Sequence, residues 1–186
     1  MPTGITLPGQ PDTLGALTAM RNIILAECLV GGSSPFATLS AADATRYGVS
    51  RAVFIGRPKD FSDAYLPQLL LWIPPERDLL AQEGGVMLES AGGRASAEFE
   101  ALVQVFVDMR TDWYAGEQKI LAIRDALLPV LLRRVRLGGT VPTVTESEVR
   151  AGRGLDYEQV AGVEYRLFEA RWIVRQQWTV SGGWVI

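Results

Sequence analysis

The fold prediction depends most on eleven residues in the middle of the chain, Glu100-Ala-Leu-Val-Gln-Val-Phe-Val-Asp-Met-Arg110. Their side chains divide between two faces, which hold Val103, Val105, Val107 and Met109 on one side and Leu102, Gln104, Phe106 and Asp108 on the other. Successive side chains of a β-strand point to opposite faces, so this alternation predicts a strand over 99–109.

An amphipathic helix is predicted directly after this strand. The sequence Glu117-Gln-Lys-Ile-Leu-Ala-Ile-Arg-Asp-Ala-Leu-Leu128 follows a short turn, and its apolar stripe returns at helical spacing, at Ile120, Ile123, Leu127 and Leu131. We expect a helix over 116–132. Pro129 should kink or end it, because proline donates no backbone hydrogen bond and disfavours helix at the preceding residue.

A second helix is predicted near the start of the chain, over 13–30. Its apolar residues also recur at helical spacing, at Leu17, Met20, Ile24 and Cys28. Asp12 precedes this pattern and is a suitable N-cap. The Gly31-Gly32 pair supplies a stop. Cys28 is expected to be a small buried side chain, since no histidine or lysine near it in the sequence could activate the thiol.

The remaining segments predict further strands. Residues 66–73 form a buried strand that Pro74-Pro75 closes. Near the C-terminus, one strand is expected over 141–150, with Val144, Glu146 and Glu148 on one face. A turn or bulged connection over 151–162 should lead into a long strand over 162–180.

These elements define an α+β fold. We predict an antiparallel β-sheet flanked by two α-helices on one face, with a long C-terminal β-hairpin. Residues 1–186 should form a single domain, since that length suits one core. Segments 31–65 and 76–95 are poor in periodic pattern and are expected to be extended loops or insertions.

Composition excludes several classes of function. The chain has 18 Lys and Arg against 21 Asp and Glu, no histidine and one cysteine. Without histidine, His-dependent catalytic triads and most common metal sites are excluded, and one cysteine cannot form an internal disulfide. No secretory signal or membrane-length apolar run is evident, so we expect a chain that folds in the cytoplasm. We predict no cofactor, no metal and no catalytic residue.

Carboxylates offer the one chemical alternative. Glu146 and Glu148 lie two residues apart on a predicted strand, so they share a face and could bind a divalent cation. Asp108 and Asp112 lie close together at the predicted strand-to-helix turn. Charged residues on an exposed strand face, and an aspartate that caps a helix, are the commoner explanations. An enzyme is therefore not predicted.

Charge and tryptophan placement indicate contacts with other proteins. Residues 1–116 carry 8 − 13 = −5 and residues 117–186 carry 10 − 8 = +2. A head-to-tail ring could use this asymmetry, with a basic face of one subunit against an acidic face of the next. Trp184 lies in a glycine-containing segment with little local core to join, and such tryptophans often anchor interfaces; the alternative is that this segment folds back onto its own sheet. The predicted interface residues are Arg133, Arg134, Arg136, Glu146, Glu148, Arg171, Arg175, Trp178 and Trp184.

The order of segments resembles a known family. A leading helix, a strand, the strand of 100–109 with its helix directly behind it, and a closing hairpin are similar to the tail terminator and minor tail proteins of long-tailed bacteriophages. The resemblance covers residues 12–30 and 66–180 and is one of architecture and sequence texture. The family has no invariant catalytic motif.

This resemblance implies a structural protein of the virion tail or neck, assembled in the host cytoplasm. Such a protein forms a ring, commonly a hexamer, that caps the tail tube, stops its polymerisation and presents a surface to the head-tail connector protein. Its partners would be itself, the tail tube protein and the connector, with no membrane. DNA would pass through the lumen without sequence-specific binding. The alternatives are a head-completion or adaptor protein that binds the portal side, and a small metal-dependent enzyme.

Overall fold

The computed structural model describes residues 12–56, 63–74, 89–91, 94–133, 137, 141–160 and 162–179. Within these residues the chain forms three α-helices and six β-strands, which confirms the α+β class. The helices are α1 (Thr13–Glu27), α2 (Ala41–Tyr47) and α3 (Trp113–Arg133). The strands are β1 (Val53–Ile55), β2 (Gln68–Trp72), β3 (Glu89–Ala91), β4 (Arg94–Asp108), β5 (Val144–Val160) and β6 (Val163–Thr179).

The described strands form one mixed sheet in the order β1-β2-β4-β6-β5, and β3 pairs with the first residues of β4. The prediction of a purely antiparallel sheet is wrong, because β1 runs parallel to β2. Parallel neighbours need a connection of about a dozen residues or more, and residues 56–67 provide it. The other pairings are antiparallel.

Helix α1 begins as the sequence predicts and ends earlier. The Asp12 carboxylate accepts a hydrogen bond from the Gly15 backbone N–H at 2.8 Å, which caps the first turn. The last helical residue is Glu27, three residues before the predicted end. Cys28 is fully buried, and burial raises the pKa of its thiol to about 11. This agrees with an inert core residue.

Helix α3 is longer than predicted at its start and passes through its proline. The Asp112 carboxylate accepts a hydrogen bond from the Ala115 N–H at 3.0 Å. The helix continues beyond Pro129 to Arg133, so the proline does not end it. The predicted apolar stripe is buried, at Ile120, Ile123, Leu127 and Leu131.

Two hydrophobic clusters lie on opposite sides of the sheet. The larger one, the helix-side core, joins buried residues of α1 and α3 to one face of the sheet, with Trp172 among its largest fully buried side chains. The smaller cluster lies on the other face and joins Phe106 and Leu167 to Leu39 and Val49. The segment before β1 therefore covers part of the second face.

The predicted extended loop over 31–65 holds regular structure. It contains α2, β1 and a short 3₁₀ turn, and it contributes to the smaller cluster. Helix α2 is capped by Ser40 at its start and by a left-handed Gly48 at its end. It spans only seven residues, which is too short for a helical period to be recognised in the sequence. Of the predicted loop 76–95, residues 89–91 and 94–95 lie in β3 and β4, and the rest is outside the described residues.

The predicted connection over 151–162 is mostly strand. Strand β5 runs through to Val160, and its register with β6 shifts between Ala151 and Gly154. Of the two predicted forms of this connection, a turn or a bulge, the structure therefore has a bulge at this point. A second shift between Val144 and Glu146 separates two residues that were expected on one face. Val144 is buried in the helix-side core, whereas Glu146 is exposed. Among the described helices, none is both long and apolar enough to cross a bilayer.

Pro129→Ala is expected to stabilise the protein. Alanine restores a backbone N–H inside α3, and proline is about 3 kcal/mol less favourable than alanine in a helix interior. Some of that gain is offset because proline also restricts the unfolded chain. We expect the free energy of unfolding to rise by about 1–3 kcal/mol in urea denaturation. An unchanged or lower value would contradict this account of α3.

Candidate interaction surface

The three long strands present a charged surface on the side away from α1 and α3. Trp172 and Val174 of β6 point into the helix-side core, so the residues that alternate with them point the other way. The register of β4, β6 and β5 continues this alternation across the sheet. We name this surface the charged face; it comprises Glu98, Glu100, Glu146, Glu148, Arg150, Arg153, Asp156, Glu158, Glu169, Arg171 and Arg175.

Arg175 bridges two carboxylates in one row across three strands. Its Nε lies 2.7 Å from Glu98 Oε2, and its Nη1 lies 3.0 Å from Glu146 Oε2. The hydrogen bond to Glu98, followed by the one to Glu146, raises the pKa of Arg175. All three side chains are at least 35% exposed, so water and salt screen these pairs. This row therefore contributes little to the stability of the fold, and its main effect is to fix the positions of three charged groups on the surface.

The next rows carry two further ion pairs. Arg171 lies 3.5 Å from Glu100, and Arg150 lies 2.6 Å from Glu148. Ile173 stands between the two glutamates in its row and is only 3% exposed, although it lies on this face. Arg171 and Arg175 flank Ile173 on the same face of β6, and long charged side chains can cover apolar surface with their aliphatic stems.

A buried chain of polar contacts links four strands. Trp72 Nε1 donates to Gln104 Oε1 at 2.8 Å, and Gln104 Nε2 donates to Glu169 Oε2 at 2.8 Å. Arg153 Nη2 lies 3.4 Å from the same Glu169 oxygen. Gln104 and Glu169 are 6% and 4% exposed. A buried carboxylate is stable only when it is paired and hydrogen-bonded. This series of polar contacts therefore links Arg153 of β5 to β6, β4 and β2.

Arg153 projects from the bulge of β5 into a group of acids. Besides Glu169, its guanidinium contacts Glu158 at 3.1 Å and Asp156 at 3.9 Å. Burial lowers the pKa of Arg153, but the charge of Glu169 and then of Glu158 outweighs it, so the pKa is raised overall.

Two glycines allow the bulge to form. A Cβ on Gly152 would lie 2.6 Å from the carbonyl oxygen of Glu169, and Gly154 has φ +71°. The first position needs the missing side chain for space, and the second needs glycine for a left-handed backbone.

Four of the predicted interface residues meet on the charged face: Glu146, Glu148, Arg171 and Arg175. Trp178 pairs with Ala95 and, by alternation, lies on the helix side of β6. Arg133 is the last residue of α3. Arg134, Arg136 and Trp184 lie outside the described residues.

Sequence reasoning missed the β4 members of the face and the buried Glu169. Glu98 and Glu100 precede the apolar stretch with the correct alternation, and that signal could have placed them. No local pattern could have shown that Glu98 meets Arg175, which is 77 residues away.

The carboxylates of the metal alternative all have structural partners. Glu146 and Glu148 share a face as predicted, and each is paired with an arginine. Asp108 binds Arg110 at 2.8 Å, and this hydrogen bond lowers the pKa of Asp108. Asp112 caps α3. A cation at either pair would have to displace one of these partners.

A smaller feature lies where α3 begins. Trp113 and Tyr114 are 58% and 65% exposed. Glu117, one turn later, binds Arg166 at 2.8 Å, and that guanidinium stands over the ring of Tyr157 at 4.4 Å. The hydrogen bond to Glu117 is the main cause that raises the pKa of Arg166, and the negative charge of Glu117 adds to it.

A scan against protein-family models finds no match to this chain, and a search of curated proteins finds no matching relative.

Gly152→Ala is expected to destabilise the protein by about 1–3 kcal/mol, because the new methyl group would collide with the backbone of Glu169. The matched control is Gly162→Ala, where nothing lies within 4 Å of the added atom and only the φ of +81° is unfavourable. Urea denaturation of both variants measures the difference. A loss at Gly152 no larger than the loss at Gly162 would show that the bulge is not packed as described.

Proposed function

We propose that this chain is a structural assembly protein of a phage tail or tail-like machine, a terminator that forms a ring on the tail tube. The observation that carries the proposal is the presence of two unlike surfaces on opposite sides of one sheet, the charged face and the helix side. A terminator needs this property, since it must cover one protein lattice and display a different surface to the next component.

The dimensions of the sheet support such a role. Strands β4, β5 and β6 have 15, 17 and 17 residues, and a strand rises about 3.3 Å per residue, so they extend for roughly 50 Å. In the proposal, α1 and α3 form one layer on this plate, and the hairpin of β5 and β6 carries contacts between subunits. The 31–65 segment contributes at the opposite edge.

The form of β5 favours closed assembly over open-ended sheet growth. It lies at one edge of the described sheet, where backbone groups are available for pairing with another strand. Two register shifts and several charged side chains interrupt that edge. Natural proteins use such features to prevent edge-to-edge aggregation. Contacts through side chains, arranged head to tail, close into rings when the rotation between subunits permits it.

The charged face also bears on the passage of DNA. It holds more carboxylates than arginines, so it does not offer phosphate the cationic surface that nucleic-acid binding requires. A neck component through which DNA passes without sequence readout needs no such surface. The head-completion or adaptor role has the same requirement and is separated from the terminator role by experiment.

Tail tubes assembled with this protein should be shorter than tubes assembled without it, with a ring at one end. Co-expression with the tube protein of its own tail, followed by negative-stain electron microscopy, measures tube length, and native mass spectrometry measures the ring. Unchanged tube lengths, with no ring at the tube ends, would overturn the terminator proposal. Particles that lack the protein and show filled heads leaking DNA, rather than overlong tubes, would assign it to the adaptor role.

A further inference from the structure

We infer that residues 38–51, which include α2, form a flap that opens as one body and uncovers an apolar patch on the sheet. We name this segment the α2 flap. The sheet and the helix-side core stay folded when the flap opens. This opening is a property of the single chain and does not depend on the proposed ring.

Little buried surface holds the α2 flap on the sheet. Of its fourteen residues only Leu39 and Val49 are buried, and α2 itself has no buried residue. Ordering a segment costs conformational entropy at every residue, and two buried side chains offset only a small part of that cost. Regions with few buried apolar side chains are the ones that open locally while the rest of a protein stays folded.

The two ends of the flap are anchored in the fold and tied to each other. Phe36 and Ala52, which lie just outside the flap, are 1% and 0% exposed. The Ala52 N–H donates to the Ala37 carbonyl oxygen at 2.9 Å, and the Leu39 N–H donates to the Ser50 carbonyl oxygen at 3.1 Å. Compact surface loops with ends held together in this way are frequently functional. Because these bonds close the base, the flap can move about it without pulling on β1.

Two contacts between side chains fasten α2 to the rest of the chain. The Tyr65 hydroxyl donates a hydrogen bond to the Asp43 carboxylate, and the ring of Tyr47 meets Phe54 of β1 edge to face at 5.1 Å. The hydrogen bond from Tyr65, followed by one from Ser40, lowers the pKa of Asp43. The carboxylate is therefore charged at neutral pH. Asp43 and Tyr65 are only partly buried, so water competes for this latch.

The surface beneath the flap is apolar and lies in the middle of the sheet. Leu39 and Val49 share the smaller cluster with Leu70 of β2, Phe106 of β4 and Leu167 of β6. We name the last three residues the covered patch; each is at most 2% exposed. The charged face begins two residues further along β6. Opening therefore extends that face with an apolar surface that the closed flap hides, and the flap controls when this surface is accessible.

Thiol labelling with N-ethylmaleimide tests the opening in the full chain. Val49→Cys places a thiol under the flap, and the native Cys28, which is fully buried in the helix-side core, reports unfolding of that core in the same molecule. The matched control is Val130→Cys in α3, because Val130 is 5% exposed and Val49 is 8% exposed. We expect the thiol at position 49 to react at least about tenfold faster than Cys28 and the thiol at position 130. Mass spectrometry of peptides assigns each reacted site.

The latch is tested in the Val49→Cys background. Asp43→Asn and Tyr65→Phe should each raise the labelling rate at position 49 by about threefold or more, as expected for one lost hydrogen bond. The rate at Cys28 should not change. Asp125→Asn is the control, because it weakens an exposed ion pair with Arg124 outside the flap, and it should change neither rate.

Equal labelling rates at position 49, position 130 and Cys28 would show that the flap opens only when the whole chain unfolds, and this result would overturn the inference. An unchanged rate at position 49 in both latch variants would also count against it. Circular dichroism should show every variant folded.

Hydrogen exchange distinguishes a moving flap from a loop that unravels. The amides of Leu39 and Ala52 close the base of the flap, so they should stay protected on the timescale on which the thiol at position 49 reacts. Exchange of both amides at the rate of that opening would refute movement as one body. These measurements involve neither a ring nor a tail tube, so a negative result here leaves the proposed function standing.

Discussion

The pairing of β4 with β6 is the constraint on which the other features depend. Its register runs without interruption from Arg94 opposite Thr179 to Asp108 opposite Tyr165. A slip of one residue would turn every side chain of one strand to the wrong face. Trp172 would leave the core, where its ring meets Phe99 edge to face at 6.3 Å, and Arg171 would enter it. The apolar side and the charged side of the sheet are thus consequences of one register.

The buried polar chain reinforces this register at a cost. Burying the carboxylate of Glu169 is unfavourable unless Gln104 and Arg153 reach it, and they do so only when β4, β6 and the bulge of β5 are aligned. An apolar residue at 169 would tolerate more arrangements. The polar chain therefore selects one alignment of the strands, and the same alignment places Arg153 among the surrounding acids of the charged face.

Local patterns predicted those elements whose formation depends on their own residues. The alternation of 100–109, the stripe of α3 and the Asp12 cap of α1 are of this kind. The parallel pairing of β1 and the extent of β5 depend on partners distant in sequence, and α2 is too short to show a period. The same distinction holds for the surface, where Glu146 and Glu148 could be placed side by side, but the rows that they share with Glu98 and Glu100 respectively could not.

A face built from screened ion pairs would suit the proposed ring subunit, which must remain dispersed before it assembles. An apolar surface of this extent would promote non-specific association, whereas exposed ion pairs contribute little singly and weaken with salt. In the proposed ring each subunit would contact two neighbours, and the last contact to form would be intramolecular, so the closed ring would gain from effective concentration. Weak individual contacts then permit errors to dissociate, while closure makes the complete ring persist on the lattice that it covers.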